Sequence, residues 1–259
     1  MSEKIVRDVA NDGYQLTPNT ETFKLPDGRM ITIRERNGED EDILSKVQNN
    51  DDGSAFDKFL YNIIEDLDNQ GKPTRAQISS FKNRSKYYIL YKSRIQALGD
   101  EMEFEHTFEN GDKFEFTEDL KIFDFDWEKK DLEDREEFQI EPYKEAGDSF
   151  SFTLSSGLTC KMDYLTSAME STTLAKDISQ LSINEKLRIR NFRVADKGGD
   201  FVPVVNFKMF PTRLMQEIRK YLKEYDSEFT LTTSLKHPSK PIREEVSLFM
   251  YSDFFFPKV

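Results

Sequence analysis

Leu25-Pro26-Asp27-Gly28-Arg29-Met30-Ile31-Thr32-Ile33-Arg34 has a near-counterpart about half the chain later, in Leu154-Ser155-Ser156-Gly157 and the run Leu158 to Tyr164. In both, a turn with glycine in fourth place leads into alternating apolar and polar residues, the two-residue period of a strand. The acidic stretch Glu39 to Leu44 then opens a helix, and Ala168 to Lys176 reads as a helix after the second copy. Further on, one helix ends at Arg94-Ile95-Gln96-Ala97-Leu98-Gly99 and another near Arg219-Lys220-Tyr221-Leu222-Lys223; a hairpin follows each. The order hairpin, helices, hairpin occurs twice, the pattern of a duplicated building block. The expected fold class is α+β: two similar lobes, each with β-hairpins flanking a helical middle.

Of the 259 residues, 37% are hydrophobic and 33% charged, but 22 phenylalanines supply large apolar area per residue, enough for a core. The net charge of -12 repels phosphate and anionic lipid, which argues against direct nucleic-acid and membrane partners; a basic protein partner fits it better, and a solvated acidic surface with no partner is the commoner reading. A single cysteine, Cys160, excludes an intrachain disulfide and fits a reducing compartment. The first ten residues lack the apolar region of a signal peptide, and no apolar run approaches the roughly 20 residues that span a bilayer. The expectation is a soluble protein made in cytoplasm.

Residues 1–20 read as an extended N-terminal arm and 21–123 as the first α+β lobe. Within it Asn37 is placed to cap a helix, and Ala55, Phe56, Phe59, Leu60, Ile63, Ile64 and Leu67 recur at helical spacing. A helical run continues to Leu98 with Gly99 as its cap, and the hairpin Glu103 to Phe116 follows. Residues 124–149 are an acidic linker, with Trp127 as a plug for the first lobe. The second lobe, 150–259, is expected to hold a helix over Asn184–Ala195. An edge segment over Phe201–Phe210 carries Pro203, and Pro211 opens the next helix as its first residue. A last hairpin turns around His237 to Pro241.

Chemistry-bearing patterns are sparse. His106, Cys160 and His237 have no zinc-ligand spacing, Cys160 has no nucleophile motif around it, and no glycine-rich phosphate loop occurs. No catalytic residue, metal ligand or cofactor is therefore expected. Two features suggest contacts. Arg188, Arg190 and Arg193, with Lys197, give a basic helix edge for an ion-pair role within the chain or at an interface. Phe254-Phe255-Phe256-Pro257 near the C-terminus either folds back on the last hairpin or docks into another subunit; folding back is favoured.

Leu25-Pro26-Asp27-Gly28, Ile31-Thr32-Ile33-Arg34 and Gly38-Glu39-Asp40-Glu41-Asp42-Ile43-Leu44 together resemble the opening of the T-even-type bacteriophage baseplate hub and hub-assembly proteins of contractile tails. The likeness extends through Tyr88 to Gly99 into the next hairpin, and the ending Phe254 to Pro257 is similar to the family's. It covers about half the chain, in short pieces. Family members carry paired cysteines at a hairpin, suggesting a zinc knuckle. The corresponding hairpins here hold Phe108-Glu109-Asn110-Gly111 and Lys236-His237-Pro238-Ser239, so no metal role is implied. The resemblance implies a non-enzymatic structural component of the baseplate, located in the virion and assembled in host cytoplasm. Its partners would be other hub, tail-tube or tape-measure proteins, and a homo-oligomer within the baseplate is compatible with it. The alternatives are an assembly chaperone absent from the mature particle and a small enzyme without a recognisable motif.

Overall fold

A computed structural model of the chain describes residues 18–47, 54–123, 149–166, 168–169, 182–196, 198–204, 206–225 and 231–256. Residues 1–17 of the N-terminal arm, nearly all of the linker with Trp127, and nearly all of the helix expected at Ala168–Lys176 lie outside them, while Thr20 at the end of the arm already belongs to the first strand. Among the described residues the fold is α+β, as read from the sequence, with small antiparallel sheets and short to medium helices.

Strands β1 (Thr20–Lys24) and β2 (Met30–Arg34) form the first hairpin, with Thr20 opposite Arg34 and Lys24 opposite Met30. The Leu25 N–H donates to the Arg29 carbonyl at 2.8 Å and the Gly28 N–H to the Leu25 carbonyl at 2.9 Å. Gly28 sits at φ +88°, the left-handed region that glycine enters without a Cβ clash. The N-terminus of α1 (Gly38–Val47) is capped as expected. The Asn37 Oδ1 accepts from the Glu39 and Asp40 N–H groups at 3.0 and 3.2 Å, and Asp40 returns the bond to the Asn37 N–H at 2.9 Å.

Helix α2 (Ser54–Ile63) is shorter than the apolar spacing predicts. Ile64–Leu67 is a strand, β3, laid beside β2 with Ile31 opposite Leu67 and Thr32 opposite Asp66. The reason lies just beyond it. Asp68 and Asn69 take φ of +54° and +59°, and the Asp66 carboxylate accepts from the N–H groups of Asn69 and Gly71. That turn, together with the open edge of β2, draws the last residues out of the helix. Burial is satisfied either way: Ile64 is fully buried and Leu67 nearly so.

The long helical run is two helices, α3 (Arg75–Ser79), opened by a Thr74–Gln77 capping box, and α4 (Asn83–Leu98). Gly99 caps α4 with its N–H on the Ile95 carbonyl at 2.9 Å. Strands β4 (Glu101–Thr107) and β5 (Lys113–Asp119) follow as a hairpin closed by a 3-10 turn, Leu120–Phe123.

The four-stranded sheet begins with β6 (Ser149–Thr153) and β7 (Thr159–Asp163). Helix α5 comes next and spans Ile183–Ile189, not Asn184–Ala195. A Ser182–Glu185 capping box starts it. Asn191 at φ +49° ends it, and Arg193–Ala195 becomes strand β8, paired with β7. Strand β9 (Phe201–Pro203) lies at the sheet edge with its proline, and Phe207–Met209 is a 3-10 turn rather than extended. Helix α6 begins at Thr212, one residue after Pro211, and runs to Tyr225. The final hairpin is β10 (Thr232–Lys236) with β11 (Arg243–Ser247), a 3-10 turn Leu248–Met250, and the short helix α7 (Ser252–Phe255).

Burial divides the chain differently from the expected lobes. One core takes Phe23, Ile31, Phe59, Tyr91, Phe104 and Phe108, and also Leu231, Leu235, Leu248, Phe254 and Phe255. The other takes Phe150, Phe152, Cys160, Met162, Leu187, Phe192 and Ile218. The last hairpin and the C-terminal aromatics, placed in the second lobe by the sequence, thus complete the first core. Lys82 and Asn83 also meet the residues after β7. The Lys82 ammonium lies 4.0 Å from the Tyr164 ring centroid, and the Asn83 N–H donates to the Leu165 carbonyl at 3.2 Å.

Element order recurs across the halves. In each, a third strand joins the second strand of the hairpin: Ile31 and Thr32, three and four residues after Gly28, face Leu67 and Asp66. Cys160 and Lys161, three and four residues after Gly157, face Val194 and Arg193. The turn alone is less specific. The hydrogen-bond pattern of Leu25–Arg29 reappears at Phe108–Asp112, Leu154–Leu158 and Asp196–Asp200, each with a glycine at positive φ in fourth place.

Candidate interaction site

The two downstream hairpins meet through their histidines. His106 and His237 each stand five residues after the start of a strand, β4 and β10, and both are buried. Each ring reaches a carboxylate of the opposite hairpin. His106 Nε2 lies 2.9 Å from Glu244 Oε2, and its Nδ1 lies 2.7 Å from the Tyr251 hydroxyl. His237 accepts the Ser239 N–H on Nδ1 at 3.1 Å, so its Nε2 carries the proton and donates to Asp112 Oδ2 at 2.9 Å. The Glu109 N–H donates to Glu244 Oε1 at 2.9 Å, and the Thr233 hydroxyl to Glu118 at 2.8 Å.

These bonds favour ionised carboxylates. The Lys240 ammonium and then the His237 ring hold Asp112 down at about 2. The Glu109 N–H and then His106 lower Glu244, while burial and the Glu244 charge push Tyr251 up. The clasp is a structural joint, with every group turned toward the other hairpin. The sequence singled out both histidines only to set zinc aside. Their equal placement in two hairpins was the available signal for the joint.

Beside the clasp the C-terminus folds back. Phe254 is fully buried, Phe255 nearly so, and Phe256 partly; Pro257 lies outside the described residues. Phe254 packs edge-on against Phe249 at 4.9 Å and against Phe255 at 5.2 Å. The Arg36 guanidinium donates to the Phe255 carbonyl at 2.9 Å. As candidate partner-binding residues, Phe254 and Phe255 are therefore corrected: they fill the first core, where burial is worth about 1.5–3 kcal/mol per large apolar side chain. The exposed large apolar side chains lie elsewhere. Ile122 and Met250, at 63% and 82% exposure, stand at corresponding places in the two 3-10 turns, Leu120-Lys121-Ile122-Phe123 and Leu248-Phe249-Met250.

The three arginines do not form one helix edge. Arg188 is exposed on α5, Arg190 is buried at its C-cap and donates to the Lys186 carbonyl at 3.2 Å, and Arg193 lies on β8. Arg193 pairs with Asp163 across the β7–β8 ladder, an ion pair inside the chain. Lys197 lies outside the described residues.

Cys160 is fully buried on β7, and burial pushes its thiol up to about 12, so it stays protonated at neutral pH and is a poor nucleophile. Among the described residues no group of His, Cys, Asp and Glu could hold a metal ion, and no helix is long and apolar enough to cross a membrane. Compared with protein-family models, curated proteins and solved structures, the chain matches none.

Proposed function

We propose that the chain is a non-enzymatic structural component of a contractile phage tail baseplate, in the hub region, working through protein–protein contacts. The observation that supports it best is how the reactive side chains are used. Both histidines are committed to the joint between hairpins, and the one cysteine is a buried thiol. Side chains spent on rigidity suit a scaffold that holds surfaces in place. The short resemblances to baseplate hub proteins supply the setting, with other hub, tail-tube or tape-measure proteins as partners. We further read the recurrence of element order as an internal duplication.

The test is affinity capture of the full chain co-expressed with hub, tail-tube and tape-measure proteins of a contractile-tailed phage, then quantitative mass spectrometry of purified particles. Co-elution with a tail protein and stoichiometric presence in the particle are expected. Elution alone removes the proposal. Capture during assembly with absence from the particle assigns the chain to assembly chaperones instead.

A further inference from the structure

Charge is distributed unevenly. Residues 149–225 carry 12 Lys and Arg against 8 Asp and Glu, a formal +4, in a chain whose total is -12. The exposed face of β4–β5 is the opposite extreme. Glu101, Glu103, Glu105, Glu115 and Asp119 face outward, and Lys113 is the one Lys or Arg in the two strands. The register sets Glu101 against Asp119 and Glu105 against Glu115. Like charges directly opposed across a ladder destabilise it. Lys113 reaches Glu105 at 3.0 Å, but among the described residues Glu101, Glu103 and Glu115 have no cation within ion-pair distance.

We infer that this ribbon face docks the outer face of α6 from a second copy of the chain. Opposite its buried Leu214, Met215 and Ile218, α6 exposes Arg213, Gln216, Arg219 and Lys220. The dimensions agree. Strands of seven residues span about 23 Å, and a helix of 14 residues about 21 Å. The net charge does not forbid it: at 0.15 M salt the Debye length of about 8 Å lets copies sense facing patches rather than each other's totals. The two faces are different surfaces of one chain, so the contact is heterologous and closes into a ring or propagates. The inference stands independently of the baseplate reading.

Sedimentation velocity of the full chain tests it, from about 5 to about 200 µM, in 0.1 M and in 1 M salt, between which the Debye length falls from about 10 to about 3 Å. Concentration-dependent association in 0.1 M salt, weakened about tenfold or more in 1 M, is expected. Glu103→Lys with Glu115→Lys, and separately Arg219→Glu with Lys220→Glu, each abolish association; mixing the two variants restores it. A wild-type chain that stays monomeric in 0.1 M salt, or associates equally in both salts, overturns the inference. So do variants that associate like wild type, or a mixture that fails to associate. Should a variant misfold by circular dichroism, the wild-type salt series decides alone.

Discussion

Helices α4 and α6 each precede a hairpin and are used differently. Ile89 of α4 and Ile218 of α6 are both fully buried. Around them the helices diverge. On α4 the far side is also buried: Tyr88, Tyr91 and Arg94 are covered, Tyr91 donates its hydroxyl to the Leu120 carbonyl at 2.9 Å, and Tyr87 meets Phe249 at 5.4 Å. Away from its buried Ile218, α6 instead exposes Gln216, Arg219 and Lys220. Among the described residues, the hairpin after α6 contributes its buried apolar side chains to the first core and none to the second. Position in a fold does not settle whether a helix face is apolar; the element packed on it does.

The largest test of this contrast is Phe254→Ala. Truncating a fully buried phenylalanine costs about 3–5 kcal/mol, read as a lower urea midpoint. Hydrogen exchange should show amides of α4 losing protection while those of β6 and β7 keep theirs. Equal loss in α4 and in β6–β7 would mean that the C-terminus does not belong to the first core alone.

Next is Asp57→Ala. Lys86 of α4 is almost wholly buried and its ammonium lies 2.6 Å from Asp57, which also accepts from Ser79 at 2.7 Å. Removing the carboxylate takes the close counter-ion from a buried cation and costs about 3 kcal/mol. Adding Lys86→Met should recover most of the loss in thermal or urea unfolding; no recovery would refute the buried-charge account.

Smaller and matched effects are expected at Gly28 and Gly157, at φ +88° and +81° with open space around each added Cβ. Ala at either costs about 1–2 kcal/mol from backbone strain alone. A much larger loss at one glycine than at the other would separate the two turns.

The smallest effect is the pH dependence of the clasp. Asp112 is held at about 2 in the folded chain, by Lys240 first and His237 second, against an ordinary value near 3.8. A carboxylate depressed on folding adds stability above its unfolded pKa, and that contribution is lost as pH falls from about 4 toward 2. Asp112→Asn should flatten the acid limb of a stability profile; an unchanged slope would place the acid sensitivity elsewhere.

Local features were legible because short-range chemistry sets them. Gly28 and Gly157 marked turns, Asn37 marked a helix start, Gly99 a helix end, and the alternating Phe104 and Phe108 a half-buried strand. The end of α2 was not legible, since Ile63, Ile64 and Leu67 suit a helix face as well as a strand and only the open edge of β2 chose between them. Arg193 read as part of a basic edge because its partner, Asp163, is 30 residues away in sequence. The joint of His106 with Glu244 was equally hidden, at a separation of 138 residues.

Composition and periodicity by themselves determined that this chain is acidic, aromatic-rich and α+β, with hairpins and helices in a repeating order, because those properties follow from residue type and neighbours along the chain. Only the tertiary structure decided that the last hairpin and Phe254 leave the second half and fill the first. That choice depends on which apolar faces can cover each other in space, and burial area carries no label of sequence distance.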